Sequence, residues 1–155
     1  MPALSGLLLL TVGRSLPVGT ARVVAATAAA ATLGLAGLVA VTRPEVDLAW
    51  VPELGVRWSL GVDGISVPLV LLTALVGALV AAHAWVELPA GGSPATFLGC
   101  LLLVEAGALA TFTARDVFLF FIAFEVVLVP IWVLISRFGD AHDPEARTNA
   151  SHHFA

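Results

Sequence analysis

An all-α integral membrane fold is what this sequence predicts: an antiparallel transmembrane helix bundle of about four full spans plus a short N-terminal hydrophobic helix. Three observations carry that expectation. The 155 residues are 59% hydrophobic and only 12% charged, whereas a soluble domain carries about 25% charged residues to cover its surface. Several stretches reach the roughly 20 apolar residues needed to cross a bilayer core about 30 Å thick. The connections between the later stretches are short, which makes neighbouring helices antiparallel.

Residues 1–42 supply the N-terminal hydrophobic helices. The run Leu4–Val12 is too short to span alone; it reads as the remnant of a helix, as a helix extended through Arg14–Val18, or as a wrongly assigned start. No positive residue precedes it and no convincing small-x-small site follows, so it does not read as a secretory signal. The first full span covers Ala21–Thr42, with Arg22 at its mouth.

Residues 43–64, "RPEVDLAWVPELGVRWSLGVDG", form the one sizeable loop. Short alternating pieces such as Val56-Arg57-Trp58-Ser59-Leu60 predict a small extended or hairpin element at the membrane surface, with Trp50 and Trp58 at headgroup level. Asp63 stands where the N-cap of the next helix belongs.

Residues 65–136 hold three further spans, Ile65–Val86, Ala95–Thr113 and Val117–Ser136. "ELPAGGSP" (87–94) is a plain turn, and the tight connection around Arg115 and Asp116 makes the last two spans antiparallel neighbours. Residues 137–155 are a polar loop. Small residues recurring four apart at Ala26, Ala30 and Gly34, at Gly77 and Ala81, and at Ala106, Ala110 and Ala114 predict close helix contacts.

Composition also excludes. Lysine is absent, and the seven Arg residues form no basic patch, so nucleic acid is not a partner; the lipid bilayer is. With the short run counted as a span, Arg14, Arg22, Arg137 and Arg147 share one side, and Arg43, Arg57 and Arg115 the other. That small excess favours the first side as cytoplasmic. Cys100 is alone, which rules out an intrachain disulfide or a cysteine-held cluster. His142, His152 and His153 lack ligand-spaced partners, and His83 reads as an interfacial histidine.

Two residues are candidates for chemistry. In "LFFIAFEVVLVPIWVLI" (119–135) the only charge is Glu125, near mid-span, and Glu105 in "LLLVEAGALATF" lies near the middle of the preceding span. A charge at that depth costs about 2.5–3.5 kcal/mol on insertion scales, and desolvation penalises the anion. Two carboxyls at matched depth on consecutive helices therefore read as a proton or ion path rather than as simple inter-helix hydrogen bonds. Phe118, Phe121, Leu128 and Trp132 share the Glu125 stripe, and Pro130 leaves the Val126 carbonyl without its usual donor.

"WVPELGVRWSLGVDGISVPLVLLT" followed by "LLLVEAGALATFTARDVFLFFIAFEVVLVPIWVLI" resembles the chain 4 (subunit M) proteins of respiratory complex I, the proton-pumping NADH:quinone oxidoreductase. The resemblance runs over about residues 48–138, through Leu60–Ser66 and the Phe-Glu-x-x-Leu-x-Pro of residues 124–130. It implies an antiporter-like subunit of the bacterial plasma membrane, multi-pass, working beside other membrane subunits of the complex in respiratory electron transport. It also implies that the glutamate of that motif, by position Glu125, pairs with a lysine from a later helix, and that Glu105 is the acid one helix earlier. It implies no cofactor in this chain, with NADH, FMN, iron–sulfur clusters and quinone held by other subunits. The partner lysines have no counterpart here, so the sequence reads as an N-terminal fragment holding half of a proton site. The competing readings are a subunit of a related Na+/H+ antiporter or membrane-bound hydrogenase, and a non-functional structural fragment.

Overall fold

The structure is a computed structural model. It describes residues 1–90 and 92–139, apart from the side chains of Arg14 and Leu54. The tail histidines His142, His152 and His153 lie outside the described residues.

Helix α1 covers Pro2–Thr11, with proline in its first turn, where a missing N–H costs nothing. Ten residues reach about 15 Å, half of a bilayer core. A 3-10 turn at Gly13–Ser15 and then Pro17 separate it from α2, Val18–Thr42, so it is a distinct short helix and is not extended through Arg14–Val18. Helix α2 ends at Arg43, which takes a left-handed conformation (φ 45°) and donates its N–H to the Val39 carbonyl at 2.8 Å. Pro44 follows, and the residue before a proline is pushed out of the right-handed helical region.

Strands β1 (Val46–Val51) and β2 (Val56–Leu60) pair antiparallel, with Leu48 opposite Trp58 and a bulge between Ala49 and Val51. The connecting turn closes at Gly55, whose φ of 69° suits a residue without Cβ. Helices α3 (Ser66–His83), α4 (Pro94–Thr113) and α5 (Val117–Phe138) follow among the described residues. Helices α2 to α5 are 18 to 25 apolar residues long, each long enough to span a bilayer, making this a multi-pass integral membrane protein.

Helix α1 lies antiparallel along α4. A methyl group at Gly6 would lie 2.9 Å from the Gly99 carbonyl oxygen, and one at Gly99 would lie 3.0 Å from that of Gly6. The two backbones touch where neither has a side chain, the close approach that small residues permit in lipid. At this end Leu9, Ala21, Ala25, Ala84, Ala95 and Leu98 form one buried cluster; Ala36, Val62, Val70 and Ala74 form another toward the hairpin. Arg22 belongs to the first end and Arg57 and Arg115 to the hairpin end, as the alternation of spans requires.

One expected packing stripe is corrected. On α2 the buried positions are Ala21, Ala25, Ala28, Ala29, Thr32 and Ala36. Ala30 and Gly34 face outward, and nothing lies within 4 Å of a methyl group placed at Gly34. Alanine and glycine occupy both faces of α2, so spacing alone did not single out the inner one.

The hairpin is tied down from both ends. Asp63 accepts hydrogen bonds from the backbone N–H groups of Ile65 and Ser66 (2.9 and 2.8 Å), and its own N–H donates to Ser66 Oγ (2.8 Å). That reciprocal pair caps α3 as the sequence predicts. Gly61 N–H donates to the Thr113 carbonyl and Arg115 N–H to the Ser59 carbonyl, both at 2.9 Å, so the α4–α5 connection is joined to the end of β2 by an antiparallel bridge between Ala114 and Leu60. Asp116 caps α5 by accepting from Phe118 and Leu119, and it also accepts from the Arg57 N–H at 3.2 Å. Backbone donors hold both aspartates below the usual carboxylate range: Ser66 then Ile65 for Asp63, and Arg57 foremost for Asp116. Trp50 meets Trp58 edge to face at 5.7 Å and Phe118 at 6.1 Å, placing both indoles at the mouth of α5.

Candidate functional site

Glu105 and Glu125 do lie at matched depth. Helix α4 crosses α5 closely at Gly107, where a methyl group would overlap Val127 and lie 3.5 Å from the Ala123 carbonyl oxygen. Ala123 and Val127 bracket Glu125, and Gly107 is two residues beyond Glu105. The two acids nevertheless occupy opposite environments.

Glu105 is 6% exposed and turns toward α3. A methyl group at Gly77 would lie 2.5 Å from its Oε1 and 2.6 Å from its Cδ, so the missing side chain at Gly77 is what makes room for the carboxyl. Oε1 has no hydrogen-bond partner among the described residues. The carboxyl lines a cavity of about 310 Å³ between α2, α3 and α4, whose walls include Ala25, Leu72, Val76, Leu102 and Ala108. The other polar side chain there is Thr73, whose hydroxyl donates to the Leu69 carbonyl at 2.8 Å.

Glu125 is exposed on the outer face of α5, among Phe121, Phe124 and Trp132, which are also exposed. Among the described residues it forms no hydrogen bond or ion pair; the salt bridges present are Arg57–Asp47 and Arg115–Glu45, both at the hairpin. Of the expected stripe, Phe121, Glu125 and Trp132 are exposed, whereas Phe118 packs on Trp50 at the hairpin and Leu128 is half-buried. Helix α5 continues through Pro130, which is buried.

The remaining candidates sit at span ends. His83 is exposed at the end of α3 and lines a cleft of about 200 Å³ with Glu87, Pro89 and Phe97. Cys100 is buried and unpaired. Among the described residues, no three His, Cys, Asp or Glu side chains come together as metal ligands.

Gly77 is the site residue whose role the sequence concealed. Its spacing with Ala81 marked a close helix contact, but nothing in the local sequence says that the group received is a carboxyl from another helix.

No family model matches the chain. It is 37% identical over 102 residues to NAD(P)H-quinone oxidoreductase chain 4 of Prochlorococcus marinus (strain MIT 9312), an alignment covering 66% of this chain and 18% of that protein. It is 42% identical over 93 residues to the chloroplastic NAD(P)H-quinone oxidoreductase chain 4 of Chara vulgaris, covering 60% of this chain and 18% of that one. Among solved structures, a chain of respiratory complex I from Thermus thermophilus with bound NADH superposes with a TM-score of 0.76 at 31% identity, over 97% of this chain and 30% of that chain. The chain spans less than a fifth of the length of the curated relatives it matches.

Proposed function

We propose that this chain forms part of an antiporter-like subunit of an NADH:quinone oxidoreductase, where it takes part in proton translocation through Glu125 and Glu105. The supporting likeness is to chain 4 proteins in sequence and to a complex I chain in fold. Its partners in this reading are the other membrane subunits of the complex, and its membrane is the bacterial plasma membrane. The chain itself contributes proton-transfer groups, while NADH, FMN, iron–sulfur clusters and quinone belong to other subunits.

The observation that carries the proposal is the exposure of Glu125 at the middle of an apolar span. Lipid against that face would impose the full cost of a polar group in hydrocarbon, so the face calls for a polar or cationic group from outside the described residues. A basic side chain arriving there favours the carboxylate, and its withdrawal favours the acid, which is a loading and release cycle for one proton. Glu105 stands on the other side of α4, in its own cavity, as a second and separate protonation position.

The test is made in the assembled complex. Glu125→Gln keeps the side-chain shape but cannot ionise, and it is expected to reduce proton translocation coupled to NADH oxidation; Glu125→Asp is expected to retain part of it. Proton translocation by Glu125→Gln equal to that of the unmodified complex overturns the assignment.

A further inference from the structure

The Glu105 cavity has the composition of a ligand site independent of the Glu125 face. Its volume of about 310 Å³ falls at the lower end of the roughly 300–1,000 Å³ typical of small-molecule pockets. Its walls are apolar, and it contains one ionisable group, the buried Glu105 carboxyl, whose Oε1 has no partner among the described residues. Leu72 and Val76, which line it, are exposed on α3, so the cavity opens sideways between the helices of the described residues.

We propose that this cavity binds a small hydrophobic amine, with the apolar body against Val76, Leu102 and Ala108 and the nitrogen on Glu105 Oε1. The chemistry selects that class. A purely apolar guest leaves the carboxyl oxygen unpartnered, and an anion would face a second acid. A neutral amine crosses hydrocarbon readily and reaches the cavity uncharged. There the Glu105 carboxyl transfers its proton to the amine nitrogen, forming an ammonium–carboxylate pair; the proton count of acid plus amine is unchanged and no other reactant is needed. The pair is charge-assisted and shielded from water, the setting in which such hydrogen bonds are strongest. Gly77 serves as a positioning residue, because only a residue without Cβ leaves the carboxyl where the cavity presents it.

The test uses the full chain in lipid nanodiscs, with 1-adamantylamine as probe and 1-adamantanol, of the same shape but not basic, as comparator. Equilibrium dialysis is expected to show saturable amine binding at least about tenfold tighter than alcohol binding, the gain of a hydrogen bond made to a charged group. Glu105→Gln should bring the two ligands to equal affinity, with its fold checked by circular dichroism. Ala108→Phe, which fills the cavity and leaves the carboxyl in place, should abolish binding of both, and it decides the matter alone where Glu105→Gln does not fold. Equal affinity of the unmodified chain for both probes, a preference for the amine that survives folded Glu105→Gln, or amine binding that survives folded Ala108→Phe, overturns the proposal. The outcome does not depend on whether Glu125 translocates protons.

Discussion

Gly77→Ala is the substitution in which the structure sets two known effects against each other. The new methyl group would stand 2.5 Å from Glu105 Oε1 and 2.6 Å from its Cδ, distances no packed side chain tolerates. Relief requires the carboxyl or the helix to shift, and overpacking of this kind costs about 1–3 kcal/mol. The same substitution removes a glycine from a helix interior, a gain of about 1 kcal/mol. The net expectation is a loss of about 0–2 kcal/mol, too close to zero to decide anything alone. The decision comes from a double-mutant cycle. In a Glu105→Ala background the collision is gone and only the propensity gain remains, so Gly77→Ala should there stabilise by about 1 kcal/mol. The coupling between the two sites is then about 1–3 kcal/mol, readable from reversible unfolding of the four proteins in one detergent or nanodisc system. A coupling under about 0.5 kcal/mol, the level seen between independent sites, would refute the packing of Glu105 against Gly77, and with it the inward orientation of the acid.

Two other consequences follow from the same geometry. Gly6→Val at the α1–α4 crossing puts bulk 2.9 Å from the Gly99 carbonyl and should detach α1 at a cost of about 1–3 kcal/mol; hydrogen exchange of the Pro2–Thr11 amides would rise sharply while α2 to α5 keep their protection. For the capping aspartates, Asp63 and Asp116, the folded pKa is lowered by backbone donors, so their stabilisation is present above the unfolded value near 3.9 and is lost as pH falls through the lower folded value. Acidification below about pH 4 should therefore loosen the hairpin, seen as a change in Trp50 and Trp58 fluorescence. Asp116→Asn should shrink that transition, and an unchanged transition in the variant would show that other groups govern it.

What could be read from the sequence and what could not divide along a physical line. Span length is a one-dimensional property, so the helices were legible to within a few residues: Val18–Thr42 against Ala21–Thr42, and Val117–Phe138 against Val117–Ser136. The Asp63 cap was legible because its partners are two and three residues away. Helix faces were not. In water the buried face of a helix is marked by polar residues opposite it, but in lipid both faces are apolar, so Ala30 and Gly34 look like Ala25 and Ala29. The bridge between Ala114 and the end of β2 was hidden for a different reason: its bonds are backbone to backbone, and Ser59 and Arg115 carry no side-chain mark of that pairing.

The orientation of the two glutamates follows from one crossing point. Successive residues on an α-helix are rotated by about 100°, so residues two apart lie nearly opposite each other. Gly107 faces α5, because that is where the backbones touch; Glu105, two positions earlier, must then face away from α5 and toward α3. On α5 the contact is made by Ala123 and Val127, and Glu125, two positions from each, must face away from α4. The spacing that brings the acids to one depth thus also turns them apart, with the α4–α5 contact between them. Each carboxyl has to be served by its own surroundings: Glu105 by a cavity this chain builds around it, and Glu125 by whatever covers the outer face of α5. Matched depth in the sequence suggested a pair; the helical period turns the two carboxyls to opposite sides of the α4–α5 contact.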